Sequence, residues 1–320
     1  VIGLDGPALA PCFLCGGHRF FPIAVNRSFG VRVLTCAECG MVQSDPVSDR
    51  ALALYYERHY RGALTQADVL ALDAMLRPQA ESQMAYLESR LGRRRFAAVL
   101  DYGAAGGSLL DLLCERADAV YATEENPVLR AHLAARPGRT LLGENELRQE
   151  RFARRFDLIV LSHVLEHLPD PAEMLTLCAV LLRPDGHLLI DVPAELDMLA
   201  HGFQAKGHLH YFTAETIRRL VERDGLFAIL DLRRCNRSVA AVIASGFTLD
   251  QDYTIADNPQ GTTIRVLLKA RGHGLGLADV RRRPVDSQRA YEDYSARVTQ
   301  LFQELEGAKA RERERERERS

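Results

Sequence analysis

From Phe96 onward, short apolar runs alternate with segments of helical spacing. Ala97–Asp101, Ala119–Thr123, Phe156–Ser162 and His187–Val192 are nearly continuous in apolar side chains. That is the pattern of strands buried on both faces of a parallel sheet. Between them the spacing predicts helices over Ser108–Arg116, Pro127–Ala135, Pro171–Leu182 and Thr213–Asp224, the last with Ile217, Leu220 and Val221 on one face. Thr140–Leu142 reads as a short strand, Arg183–Gly186 as a turn, and Phe227–Leu232 and Thr263–Ala270 as strands that finish the sheet. The predicted class is α/β: a Rossmann-like, mostly parallel sheet with helices on both faces.

Both ends break this pattern. Residues 1–48 hold two β-prone runs, His18–Val25 and Val31–Thr35, and exit at Asp45-Pro46. Residues 49–92 read as two helices, the first carrying Leu52, Tyr55, Tyr56 and Tyr60. The second carries Met84, Leu87 and Leu91 and is expected to start at Pro78. This segment is a linker that could cover a pocket with Tyr56, His59 and Tyr60. The α/β domain takes residues 93–272, and 273–320 form a linker and charged helical tail. In that tail Tyr291, Tyr294, Val298, Leu301 and Leu305 follow heptad spacing, a surface for self-association or intramolecular docking. Arg311–Arg319 alternates Arg with Glu and reads as solvated.

The chain has 320 residues and a formal net charge of -2, so bulk electrostatics do not draw it to nucleic acid. No run approaches the ~18 apolar residues of a membrane span, and no charged-then-apolar leader opens the chain. Cys114, Cys178 and Cys235 are isolated, which fits a reducing, cytoplasmic setting. The first residue is Val, as expected of a piece of a longer chain or of a processed terminus.

The other cysteines are paired: Cys12-x2-Cys15, then Cys36-x2-Cys39 after a gap of twenty residues. Four thiolates so spaced suit one tetrahedral, structural Zn²⁺ in a ribbon-like module, with disulfides or a redox pair as alternatives. Gly16 and Gly40 follow the pairs, where a metal knuckle must turn tightly. So small a module needs a metal to be stable.

The chemistry centres on VLDYGAAGGSLLDLL, residues 99–113. A strand ends at Asp101, and Gly103, Gly106 and Gly107 open a helix. Glycines admit a ligand close to the backbone, and the helix start offers unpaired N–H groups. Glu124 ends the next strand, 21 residues after Gly103, where a carboxylate can accept from both hydroxyls of a ribose.

On these residues, and on FDLIVLSHVLEHLPDP (156–171), LLRPDGHLLIDVP (181–193) and HLHYFTAETIRRLVERDGL (208–226), the chain resembles the class I S-adenosylmethionine-dependent methyltransferases over about residues 96–233. The resemblance implies an S-adenosylmethionine site from Asp101, Gly103, Ala105, Gly107, Glu124 and Ser162, with Ala105 standing where the family has its middle glycine. With the cysteine module and YYERHY (55–60), it is similar to the zinc-containing branch that modifies small molecules and sugars. That branch favours His-Glu-His after the fifth strand, and this chain has His208-Leu209-His210. The implied partner is a small-molecule acceptor, a sugar or related metabolite. Methyl transfer rests on in-line alignment, and a base is needed for a hydroxyl or carbon acid. His210, His208 and Tyr211 follow the fifth strand and His163 the fourth, so these are the catalytic candidates; His167 reads as structural. Two rivals stand beside this reading: an RNA methyltransferase gripping its substrate through the zinc module, and a cofactor-binding scaffold without turnover.

Overall fold

The computed structural model describes residues 11–47, 51–52, 55, 64–92, 95–200, 204, 206–244 and 256–280. Tyr56, His59, Tyr60, the 291–305 stripe and the 311–319 tail lie outside the described residues. Two sheets organise the rest. The larger contains β4 (Phe96–Tyr102), β5 (Ala117–Thr123), β6 (Thr140–Leu141), β7 (Phe156–Ser162), β8 (Leu182–Pro193), β10 (Phe227–Ser238) and β11 (Gly261–Ala270), in the order β10-β11-β8-β7-β4-β5-β6. Neighbours β4 to β8 are parallel, while β11 runs antiparallel to both β8 and β10. The sheet is therefore a doubly wound α/β sheet with one reversed strand inserted near its edge.

Side-chain alternation along the strands divides the core in two. Val99, Leu158, Val160, Leu189 and Leu267 face one layer, packed against Tyr86 and Leu87 of α1 (Gln66–Leu91) and Leu110 and Leu113 of α2 (Ser108–Cys114). Leu100, Ile159, Leu161, Leu188 and Ile190 face the other, packed against α5 (Pro171–Leu181) and α7 (Ala214–Glu222). Of the remaining helices, α3 spans Pro127–Ala134, α4 Glu144–Leu147, α6 Glu195–Leu199 and α8 Val239–Ala244. Covering both faces of the parallel strands is what their continuous apolar runs require.

Two local expectations are corrected. Pro78 does not start a helix; it sits inside α1, which begins at Gln66, twelve residues earlier in the chain, behind a Thr65/Asp68 capping box. The helix survives the lost N–H because Val69 on one side and Ala80, Met84, Tyr86 and Leu87 on the other are buried against the domain. The Arg183–Gly186 turn is not a boundary but an irregularity within β8: Phe156 pairs Leu182 and the next pair is Leu158 with His187.

The smaller sheet has the order β1-β2-β3-β9, from β1 (Phe20–Asn26), β2 (Val31–Cys36), β3 (Val42–Ser44) and β9 (His210–Tyr211). Its fourth strand comes from the region after β8, so the cysteine module is closed by a strand nearly 170 residues downstream. The cores join as well: Cys12, Leu14, Cys36 and Met41 pack in the same cluster as Phe212 and Ile217. Leu52 and Tyr55 pack against Phe29, Val31 and Leu209. Among the described residues no helix is long and apolar enough to cross a membrane.

Candidate functional site

The loop after β4 is shaped by hydrogen bonds from its own backbone. Gly103 N–H donates to Thr123 Oγ1 at 3.0 Å, and Ala104 N–H to the Thr123 carbonyl at 2.9 Å. Ala105 N–H donates to Glu124 Oε2 at 2.8 Å, and Asn126 N–H to Glu124 Oε1 at 2.7 Å. Glu124 thus ties the loop to the start of α3. Ala105 has φ 50°, a left-handed conformation in which its methyl costs energy that glycine would avoid. Gly107, at φ 94°, is obligatory on a second count: a Cβ there would stand 2.6 Å from Leu133.

Asp101, one residue before the end of β4, is 3% exposed. Burial, aided by the charge of Glu124, pushes its carboxyl up to about 7. Helix α1 crosses the same loop. A Cβ on Gly106 would meet Asp73 Cβ at 3.0 Å, Ser108 Oγ donates to the Asp73 carbonyl at 2.8 Å, and Arg136 lies 3.6 Å from Asp73.

Ser162, expected in the cofactor set, lies one position beyond the Tyr102–Leu161 pair, at the carboxyl edge beside the glycine loop. Its Oγ accepts from Gln79 Nε2 at 3.0 Å and Gln83 Nε2 at 2.7 Å, both from α1. Gln83 also donates to Asp191, which Arg265 holds through two bonds of 2.8 and 2.7 Å. Arg265 lies over the Tyr86 ring at 5.1 Å. The glutamines and this buried ion pair carry no local sequence signal; only the folded sheet brings them together.

The histidine candidates separate. His210 is buried in β9, its Nε2 hydrogen-bonded to the Leu168 carbonyl at 3.0 Å and its ring 4.5 Å from Phe13 of the cysteine module. Tyr211 is 1% exposed and packs with Val33 and Val42, its hydroxyl accepting from Gln204 at 3.0 Å; burial pushes its pKa well up. Both belong to the seam with the module. His208 is buried with Nδ1 hydrogen-bonded to Glu195, the first residue of α6. Burial alone would lower its pKa, but the bond and charge of Glu195 outweigh that and raise it. His163 retains 34% side-chain exposure, with Nδ1 3.3 Å from Glu166 Oε1. Its φ of 54° is held by the backbone N–H bond to the Asp191 carbonyl at 2.8 Å. Glu166 itself is fully buried; burial would raise its pKa, yet His163 and the neighbouring histidines bring it down to about 2. His167 is lowered to about 3 by burial and by the charge of His208. Sequence reasoning passed over Glu166 and Glu195; the first had a signal in His163-x-x-Glu166-His167, the second had none.

At the other site, Cys12, Cys15, Cys36 and Cys39 place their sulfurs within 4.8 Å of one another. Cys12 Sγ is 3.5 Å from Cys39 Sγ and Cys15 Sγ 3.6 Å from Cys36 Sγ, too far for disulfides. Four sulfurs about 2.3 Å from one tetrahedral ion stand about 3.8 Å apart, so this set fits a metal. The two knuckles are built alike: Gly16 N–H bonds the Cys12 carbonyl at 2.7 Å and Gly40 N–H the Cys36 carbonyl at 3.0 Å, each glycine at φ 74°.

Sheet order, reversed strand and glycine loop together define the class I S-adenosylmethionine-dependent methyltransferase fold. Residues 76–229 match the family model Methyltransf_23, described as a methyltransferase domain. Among curated proteins, the chain is similar to the ubiquinone biosynthesis O-methyltransferases of Leptothrix cholodnii (29% identical over 112 residues, 33% of this chain and 48% of that protein) and Acinetobacter baumannii (30% over 111 residues, 32% and 46%). The matched segment spans about half the length of those relatives. Similar solved structures include the N-methyltransferase NodS of Bradyrhizobium japonicum with S-adenosyl-L-homocysteine (14% identical, 70% of this chain and 98% of that chain, TM-score 0.45). The 1,6-didemethyltoxoflavin-N1-methyltransferase of Burkholderia thailandensis is another (20% identical, 74% and 98%, TM-score 0.46).

Proposed function

We propose that this protein transfers a methyl group from S-adenosylmethionine to a small-molecule acceptor, a sugar or glycosylated metabolite, and that its four cysteines hold a structural zinc. One observation carries the first part: the Asp101–Gly107 loop with the Glu124 carboxylate at the end of the adjacent strand, inside the match to a methyltransferase domain. The bound cofactor supplies an electrophilic methyl. The chain supplies position: Glu124 accepts from the ribose, the Gly103–Gly107 turn faces the methionine end, Ser162 lies at the neighbouring strand end, and α1 covers the loop. The acceptor lies over the carboxyl ends of β7 and β8. Its proton goes to His163, the candidate whose ring is both partly exposed and held by a buried carboxylate. His208, His210 and Tyr211 build the wall and seam behind it. The names of the similar proteins support a small acceptor, and the net charge of -2 weighs against an RNA.

The experiment has two arms. Calorimetry with S-adenosylhomocysteine should give binding that Glu124→Ala weakens about tenfold or more, the loss of a charge-assisted acceptor worth roughly 1.5–3 kcal/mol. An unchanged affinity rejects the ribose assignment. An acceptor screen reading demethylated cofactor then separates an enzyme from a silent scaffold. With the acceptor in hand, His163→Asn should bind cofactor normally and lose about 10²–10⁴-fold in transfer. Full turnover in that variant rejects His163 as the base.

A further inference from the structure

Behind His163 the fold assembles a second set of metal-type donors, unrelated to the cysteines. Glu166 follows β7 on a short 3-10 turn with His167, and His208 approaches from the segment before β9. One donor atom from each of Glu166, His167 and His208 lies within 4.8 Å of the others. Glu166 has no exposed side-chain surface; Oε1 has the His163 Nδ1 at 3.3 Å, outside good hydrogen-bond geometry, and Oε2 has no hydrogen-bond partner. An ionised carboxylate buried so completely needs compensation. His208 does not give it as a hydrogen-bond donor, because its Nε2 is 3.9 Å from Glu166 Oε1, beyond the ~2.9 Å of such a bond. Two donor atoms each about 2.1 Å from a shared ion stand about 3–4 Å apart, and His208 Nε2 lies 3.9 Å from Glu166 Oε1.

The outer contacts point the same way. His208 Nδ1 is bonded to the buried carboxylate of Glu195, which fixes the ring and turns Nε2 toward Glu166. His167 Nδ1 is bonded to the Gly207 carbonyl at 3.1 Å. Carboxylate and carbonyl partners on the far nitrogen are the usual supports of metal-bound imidazoles. Charge agrees too: two buried carboxylates, Glu166 and Glu195, with neutral imidazoles are brought to zero by one dication. The partly exposed ring of His163, 3.3 Å from Glu166, marks the side from which an ion can arrive.

The geometry points to a second divalent-metal site, formed by Glu166, His167 and His208 with Glu195 and the Gly207 carbonyl as supports, directly behind the proposed acceptor position. Two imidazoles and one carboxylate suit Zn²⁺ and its first-row neighbours better than Ca²⁺ or Mg²⁺. The site stands whether or not the proposed activity does, because its test reads metal and not turnover. Wild-type protein purified with excess Zn²⁺ and then desalted should hold a second equivalent beyond the cysteine-bound one. Glu166→Gln should lose that equivalent alone, and Cys36→Ser with Cys39→Ser should lose only the other. Co²⁺ substitution separates the sites in one spectrum. The thiolate charge-transfer band belongs to the cysteines and reports that Glu166→Gln has folded; a weaker visible band without thiolate character should vanish in that variant. A single equivalent in the wild type, lost entirely in the double cysteine variant, overturns the site, and so does Glu166→Gln retaining both. If Glu166→Gln does not fold, the wild-type stoichiometry decides alone.

Discussion

Replacing Asp101 by Asn tests whether the carboxyl beneath the glycine loop is buried in an unfavourable charged form. Its folded pKa is pushed up to about 7, by burial first and by the Glu124 charge second. An exposed aspartate titrates near ~3.9. Between these values the folded protein keeps a proton that the unfolded chain has released, so stability falls as pH rises through the window and levels off above about 7. Three units at about 1.36 kcal/mol each give a total penalty of about 4 kcal/mol, of which about 2–3 falls between roughly pH 5 and 8. The amide of the Asp101→Asn variant is neutral throughout. Urea unfolding of the cofactor-free protein, followed by far-UV circular dichroism at both pH values, should show wild type losing about 2–3 kcal/mol relative to Asp101→Asn on going from the lower to the higher. Carboxylates common to both proteins cancel in that difference. Glu124→Gln, which removes the secondary cause, should narrow the gap. Parallel pH dependence of wild type and Asp101→Asn would refute the reasoning, since it would mean that Asp101 is solvated or charge-compensated in the folded state.

Cys36→Ser with Cys39→Ser should abolish zinc at the cysteine site by elemental analysis; wild type without zinc would sink the assignment. Because β3 of that module pairs β9, the double variant should also loosen His210 and Tyr211, read as faster amide exchange there. Ala105→Gly relieves a left-handed alanine costing about 1–2 kcal/mol against about 0.5–1 of added chain entropy, so it should be neutral to about 1 kcal/mol stabilising; a clear loss would contradict the strain. Arg265→Met strands the buried Asp191 and should cost about 3–5 kcal/mol in denaturant unfolding, much of it restored by adding Asp191→Leu; a fully exposed pair would show neither effect.

What the sequence made legible was local. The continuous apolar run Leu158–Leu161 placed the strand Phe156–Ser162, because all four of its side chains are buried between two covered faces. The glycine loop and Glu124 were readable because one turn and one adjacent strand fix their relation, and the cysteine pairs because each knuckle is a closed unit of a few residues. The unread features are those whose partners are distant. A two-residue strand such as His210–Tyr211 has no periodicity to detect; it exists because β3 offers it an edge. Pro78 looks like a helix start because the loss of one N–H is local, whereas the burial of Ala80, Met84, Tyr86 and Leu87 that overrides it is tertiary. The same division explains the catalytic candidates. His208 and His210 follow β8 in sequence, yet the chain between spends its length reaching the cysteine module, and β9 closes that module's sheet. His163 follows β7 directly, so nothing intervenes to carry it from the carboxyl edge. A cysteine module whose last strand lies beside the proposed acceptor position is also more than a separate stabilised appendage. Loss of its metal would disturb the segment from Gly207 to Phe212, and with it His208, which the second donor cluster needs. The two candidate metal positions are in this way coupled through six residues of backbone, by packing and strand pairing alone.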